Sequence, residues 1–294
     1  ATVQRWVDIM PDDFRFTAKF PGDISHGGDL REQLPAAESF VGLMSPLGER
    51  VSPLWLQLSA SFSPQRLAEL LGFIDGLERP MAVEVRHPEF FAKGDAERML
   101  NRLLHERGIE RICLDSRALF SCDSQEPAVL HAQGKKPRLP TRPTAFSQGP
   151  QLRFIGHPEL LANDPFMLPW LDKVAGWIEQ GLSPYVFAHT SDNRLAAALA
   201  QRFHQQRVEQ LFLRFARIGR DFYADEQRWL DQPFWQARRQ WPDAEVAHAE
   251  AVQKVLEIRW QEVLELFDIP GHVQLAAFDV HGSDLRGSGQ PAFG

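Results

Sequence analysis

Cysteine is almost missing from this chain: two residues in 294, Cys113 and Cys122. That excludes a disulfide framework and leads to the expectation of a reducing, cytoplasmic setting. No apolar run approaches the roughly 18 residues that a membrane span requires. The opening Ala1-Thr2-Val3-Gln4-Arg5-Trp6 has neither the basic end nor the apolar block of a signal peptide, and it lacks a methionine, so the native start is expected upstream. Positive charge is in deficit, with 32 Lys and Arg against 39 Asp and Glu, for a net charge of −7. Such a balance argues against bulk electrostatic attraction to nucleic acid or an anionic membrane. Neither a P-loop nor a Gly-x-Ser-x-Gly elbow occurs, and no Gly-x-Gly-x-x-Gly follows the first expected strand, so nucleotide-binding doubly wound folds lose support.

What is present is ordinary globular material, 44% apolar and 24% charged. It is enough for one large domain, or one domain with a smaller piece, to bury a full core. Short apolar runs predict strands over 14–20, 54–58, 81–87, 109–115, 152–155 and 184–189. Helical stripes fall between them: Leu30, Leu34, Ala37, Phe40, Val41 and Met44; then Leu67, Leu70, Leu71, Ile74 and Leu77 behind a Ser63-Pro64 start; then Met99, Leu100, Leu103 and Leu104, closed by Gly108. A further helix is expected over about 169–180, and another from Asp192 with Leu195, Ala198, Leu199 and Phe203 inward. The stretch 121–150 reads as a long loop, its proline-rich 134–143 unsuited to helix or central strand. Regular strand–helix alternation is the signature of a parallel sheet with helical crossovers, either a (βα) barrel or an open doubly wound sheet. After about residue 208 the apolar residues recur at three and four, which predicts helix and no further strand. Residues 282–294 read as a disordered tail.

Several segments then carry a resemblance. They are Asp13-Phe14-Arg15-Phe16 with Lys19-Phe20-Pro21 and Ile24-Ser25-His26; Trp55-Leu56-Gln57-Leu58; Val83-Glu84-Val85-Arg86-His87-Pro88; Leu114-Asp115-Ser116-Arg117; Lys135-Lys136-Pro137; Arg153-Phe154-Ile155-Gly156; and Tyr185-Val186-Phe187-Ala188-His189-Thr190. In order and spacing the chain resembles the YecE-like proteins, the family of domain of unknown function 72, over residues 1–205. The resemblance implies an α/β, TIM-barrel-like (βα) barrel. It also implies two more strands ahead of Thr2, so the barrel is expected to be incomplete at its N-terminus. Residues 206–281 fall outside the resemblance and form the expected C-terminal helical extension.

Barrel sites lie at the C-terminal ends of the strands. Reading off those ends gives Glu84, Asp115 and His189 as candidate catalytic groups. Lys19, His26, Gln57, Arg86, His87, Arg117 and Arg153 are the candidate ligand-binding groups, with Ser25 beside His26. Glu84 and Arg86 are two apart and so share a face. The arginines make a cationic mouth suited to phosphate or carboxylate. Each has a plainer reading: Glu84–Arg86 as an internal ion pair, His26 as a helix cap, His87 as loop packing, Lys135-Lys136-Pro137-Arg138 as a solvated loop. His26, Glu84, His87, Asp115 and His189 include no close ligand spacing, so no metal is assigned, and no cofactor is legible. The best expectation is a barrel protein that binds a small anionic or phosphorylated ligand. The alternatives are a nucleic-acid-binding or metal-dependent nucleic-acid-processing protein, and a non-catalytic truncated remnant.

Overall fold

Among the described residues seven short strands make up the β-structure: β1 (Leu54–Gln57), β2 (Met81–Glu84), β3 (Glu110–Arg111), β4 (Cys113–Asp115), β5 (Gln151–Ile155), β6 (Tyr185–His189) and β7 (Gln274–Ala276). The structure is a computed structural model that describes residues 2–11, 14–15, 17–51, 53–206 and 274–276. The chain divides into one unit of residues 1–203 with 272–294 and another of 204–271, and all seven strands belong to the first.

Every strand pairing is parallel and the order is sequential, β1-β2-β3 and then β4-β5-β6-β7. Only Ile112 separates β3 from β4, and its N–H still donates to the Val83 carbonyl at 2.9 Å. The third strand position therefore pairs with β2 through its first half and with β5 through its second. The described strands do not close into a ring. The expected strand over 14–20 pairs only at its end. There Trp55 N–H donates to Ala18 and Phe20 N–H donates to Trp55, both at 2.9 Å, around a parallel bridge from Lys19 to Trp55. Phe14 upstream is exposed and its N–H turns back to the Pro11 carbonyl.

The two faces of the sheet differ in what covers them. Leu54, Leu56, Met81 and Val83 join the large core that packs under the helices, with Leu70, Phe73, Leu100 and Leu104. Trp55, Ala82, Ile112 and Phe187 alternate to the other face and form a cluster of their own. The Trp55 and Phe187 rings lie 5.2 Å apart. Their strands are four spacings apart in the pairing order, about 19 Å in a flat sheet at about 4.8 Å per strand. The sheet therefore curls strongly, with this second face on its concave side.

The helices are α1 (Thr2–Ile9), α2 (Gly22–Ser25), α3 (Leu34–Met44), α4 (Leu67–Leu77), α5 (Asp95–Glu106), α6 (Arg117–Phe120), α7 (Pro127–Lys135), α8 (Asp164–Glu179) and α9 over 196–206. Gly108 closes α5 as the sequence predicts. It sits at φ 60°, and Ile109 N–H reaches back to Leu104, a left-handed ending that favours glycine. Other expectations need correction. The 121–150 loop contains α7, because Pro127 suits the first helical turn and Val129 and Ala132 bury one face. Helix α8 begins at Asp164 and carries Pro169 inside it. Ser63 precedes Pro64 but makes no side-chain capping bond. Met99 and Leu195, expected inward, are exposed, while Phe73 takes a core position. The C-terminal stretch expected to be helical supplies β7, which pairs with β6. The rest of the 206–281 extension and the 282–294 tail lie outside the described residues.

Candidate functional site

Strand β2 ends on Glu84, which has no exposed surface. Alternation puts Glu84 on the concave face with Ala82, and register places it beside Gln57 of β1. Its carboxylate is met from two sides. Arg86 donates from Nε to Oε1 at 2.8 Å, and Arg153 of β5 donates from Nη1 to Oε1 at 3.2 Å and to Oε2 at 3.0 Å. The same Arg153 nitrogen also donates to Gln57 Oε1 at 3.0 Å. The Arg153 guanidinium lies 5.0 Å from the centre of the Trp55 ring, which holds it by a cation–π contact. Arg153 reaches Glu84 across β4 because the sheet curls, and because β2 and β4 part beyond Ile112.

Burial by itself would raise the Glu84 pKa. The charges of Arg153 and Arg86, then their hydrogen bonds, outweigh it and hold the group at about 2. It is an anion at neutral pH and too weak a base for efficient proton transfer. Its chemistry is that of an anchor for two guanidinium groups.

Around this pair lie His26 and Lys19. The His26 imidazole is pushed below its usual pKa, first by burial and then by the charges of Arg86 and Lys19. Both cations thus lie close enough to act on it through their charge. His26 Nδ1 is 2.8 Å from Ser25 Oγ, which in turn donates to the Pro21 carbonyl. The structure thus brings Lys19, His26, Gln57, Glu84, Arg86 and Arg153 together at the C-terminal edge of β1, β2 and β5.

Other expected site residues sit elsewhere. In register Leu114 faces with Arg153, so Asp115 points with Phe154 to the opposite, helix-covered face. There Asp115 accepts from Trp170 Nε1 at 2.7 Å and from Arg117 at 3.0 and 2.7 Å. This arrangement is a structural anchor for α8, not a partner of Glu84. His87 accepts from Glu89 N–H and caps the short turn Pro88–Phe91. His189 is buried at the end of β6, where its carbonyl accepts from Gly156 N–H at 2.7 Å. Cys113 is buried in the core, and that burial pushes its thiol up to about 12.

Three further groups carry no mark of their role in the sequence. Trp55, although it lies in one of the segments that carry the resemblance, and Trp170 act through ring contacts across the fold, and nothing in their spacing assigns them that part. Glu110 is fully buried at the other end of the concave face. It accepts from Phe146 N–H, Ser147 N–H and Ser147 Oγ at 3.0 Å each, and from Thr144 Oγ1 at 3.3 Å. Among the described residues no cluster of three or more His, Cys, Asp or Glu is placed to hold a metal ion. No described helix is long and apolar enough to cross a membrane.

Known proteins give consistent matches. Residues 1–216 match the family described as "Protein of unknown function DUF72". The UPF0759 protein YecE of Escherichia coli K12 is 44% identical over 192 residues, which is 65% of this chain and 70% of that protein. Its counterpart in Escherichia coli O157:H7 is 43% identical over the same shares. A crystal structure of a DUF72 family protein from Thermotoga maritima, 21% identical, superposes with a TM-score of 0.49 over 69% of this chain and 77% of that one.

Proposed function

The chain belongs to the DUF72 family, and on that premise we propose that it binds a small anionic or phosphorylated ligand at the C-terminal edge of a TIM-barrel-like sheet. The observation that carries this reading is the meeting of two guanidinium groups on one buried carboxylate. One carboxylate, Glu84, is shared between Arg86 and Arg153, and the charges of Arg86 and Lys19 both reach His26. Several cations in one partly dry cleft repel each other, and a bound anion relieves that repulsion. Arg86 is the guanidinium with access: its side chain is 13% exposed, against 1% for Arg153. In this reading Arg86, Lys19 and His26 contact the ligand, and Arg153, Gln57 and Trp55 fix the frame behind them. The strong curl of the parallel sheet supports the barrel-like geometry, and the two buried, free cysteines suit a reducing, cytoplasmic setting.

Titration calorimetry with inorganic phosphate tests the reading. The wild-type chain is expected to bind, and Arg86→Ala to bind at least about tenfold more weakly, the factor that corresponds to about 1.4 kcal/mol. An affinity that Arg86→Ala leaves unchanged would refute this assignment of the site.

A further inference from the structure

A second feature follows the C-terminal end of β4 in the chain. A cavity of about 200 Å³ is lined by Ser116, Arg117, Phe120, Ser121, Arg138 and Leu139. Nothing in the Glu84 cluster enters it. Its walls are tied together, since Ser116 Oγ donates to the Pro137 carbonyl at 2.8 Å and holds the proline-rich segment against the end of β4.

Arg117 is held in place before any ligand arrives. Its Nε and Nη2 face the two Asp115 oxygens, and Asp115 is itself fixed by the Arg117 N–H and by Trp170. A guanidinium has five N–H groups, so the Nη1 edge of Arg117 stays available, and this side chain is 46% exposed. Arg138 comes from the opposite wall. It is exposed, its guanidinium lies 5.7 Å from the centre of the Phe120 ring, and no described carboxylate pairs with it. Lys135 and Lys136 immediately precede Pro137 in the chain. Asp115 neutralises Arg117, and Arg138 adds a positive charge on the facing wall.

We infer that this cavity is a binding site for a small organic phosphate monoester. The phosphate sits between Arg117 and Arg138, and an apolar or flat body rests on Phe120 and Leu139. The size fits: a water takes about 30 Å³ of liquid volume, so the space admits a phosphate and a few more heavy atoms, less than a drug-sized ligand fills. Phosphate is favoured over carboxylate by geometry. A planar carboxylate satisfies one guanidinium fork, whereas a phosphate monoester offers three acceptor oxygens to guanidinium groups on two walls. This inference goes beyond the Glu84 site and does not depend on it.

Calorimetric titration of the full chain with phenyl phosphate, inorganic phosphate and benzoate tests it. In an Arg86→Ala background, where the Glu84 site is weakened, phenyl phosphate is expected to bind at least tenfold more tightly than either inorganic phosphate or benzoate. Arg138→Ala, at an exposed position, is expected to weaken phenyl phosphate at least tenfold in both the wild-type and Arg86→Ala chains. Phe120→Leu is expected to remove most of the preference over inorganic phosphate. Three results would each overturn the inference: no phenyl phosphate binding, unchanged affinity in Arg138→Ala, or loss of that affinity on Arg86→Ala alone. Should Arg86→Ala fail to fold, the wild-type, Arg138→Ala and Phe120→Leu titrations decide it. Failure of the Glu84 reading would instead show as inorganic phosphate affinity that is indifferent to Arg86.

Discussion

Glu84 is held between two guanidinium groups, so the charges there stand or fall together. Glu84→Gln leaves Arg86 and Arg153 without their anion, and a buried pair broken from one side costs about 3–5 kcal/mol. Arg86→Ala costs less, about 1.5–3 kcal/mol for a lost charged hydrogen bond, because Arg153 still holds the carboxylate. Denaturant midpoints of the two variants should therefore fall in that order, and a Glu84→Gln protein as stable as wild type would refute the buried-anchor account. His26 is the residue that reports on the proposed ligand. Its pKa is lowered by burial and by Arg86 and Lys19, and an anion placed among those cations offsets their charge. Saturating phosphate is expected to move the His26 titration upward in proton NMR. A titration that does not move would mean that the anion binds elsewhere. Much of this cluster is legible in the sequence, because Glu84 and Arg86 are two apart on one strand and share a face. Arg153 is legible as a strand-end candidate, not as their partner, and Asp115 takes the face away from them: a strand this short does not announce which face its last residue takes.

The element that most depends on unannounced detail is the turn after β5. Gly156 follows Ile155 directly, and a Cβ there would lie 2.6 Å from a Leu199 methyl and 2.7 Å from Asn163 Oδ1. Asn163, with no exposed surface, accepts from His157 N–H at 2.7 Å and donates to the carbonyls of His157, Glu159 and Leu160. One side chain thus satisfies most of a turn. Gly156→Ala is expected to cost about 1–3 kcal/mol by overpacking. Asn163→Ala is expected to cost at least as much, since it leaves several partly buried backbone groups without their partner. Thermal unfolding of both variants checks this, and no shift in either would mean that the turn relaxes freely. Strands and main helices are legible beforehand because parallel strands buried on both faces are continuous apolar runs, and because the helix stripes repeat at three and four. Helix α7 is hidden by the prolines that follow it. Strand β7 is hidden by its three-residue length and by the helical texture around it.

At the scale of the whole unit, pH reaches the fold through opposite groups. Glu84 has a folded pKa of about 2 against 4.5 for an ordinary glutamate. Its contribution is therefore complete above about pH 4.5 and is lost as pH falls toward 2. Burial raises Glu110 to about 7 despite the hydrogen bonds that pull it down. The folded state thus keeps a proton that the unfolded state releases, and stability declines as pH rises from about 4.5 to 7. Glu110→Gln should flatten that decline while leaving the acid limb unchanged, as read from denaturant midpoints across pH. An unaltered slope would place the responsible group elsewhere. Strand β7 covers one edge of β6, and an uncovered parallel edge is a template for self-association. A chain ending at residue 271 is expected to self-associate in light scattering, and a monodisperse monomer would count against this role for β7. The span of the Arg153 contacts also sets an order of events. Arg153 binds Glu84 across 69 positions of chain and Gln57 across 96, whereas most helices close on neighbours. Long loops close late and slowly, so in refolding from denaturant helical dichroism should recover first and phosphate affinity afterwards. During synthesis, the Glu84 cluster has no existence until residue 153 has been made, and on every shorter ribosome-bound chain Glu84 and Arg86 wait without their third member.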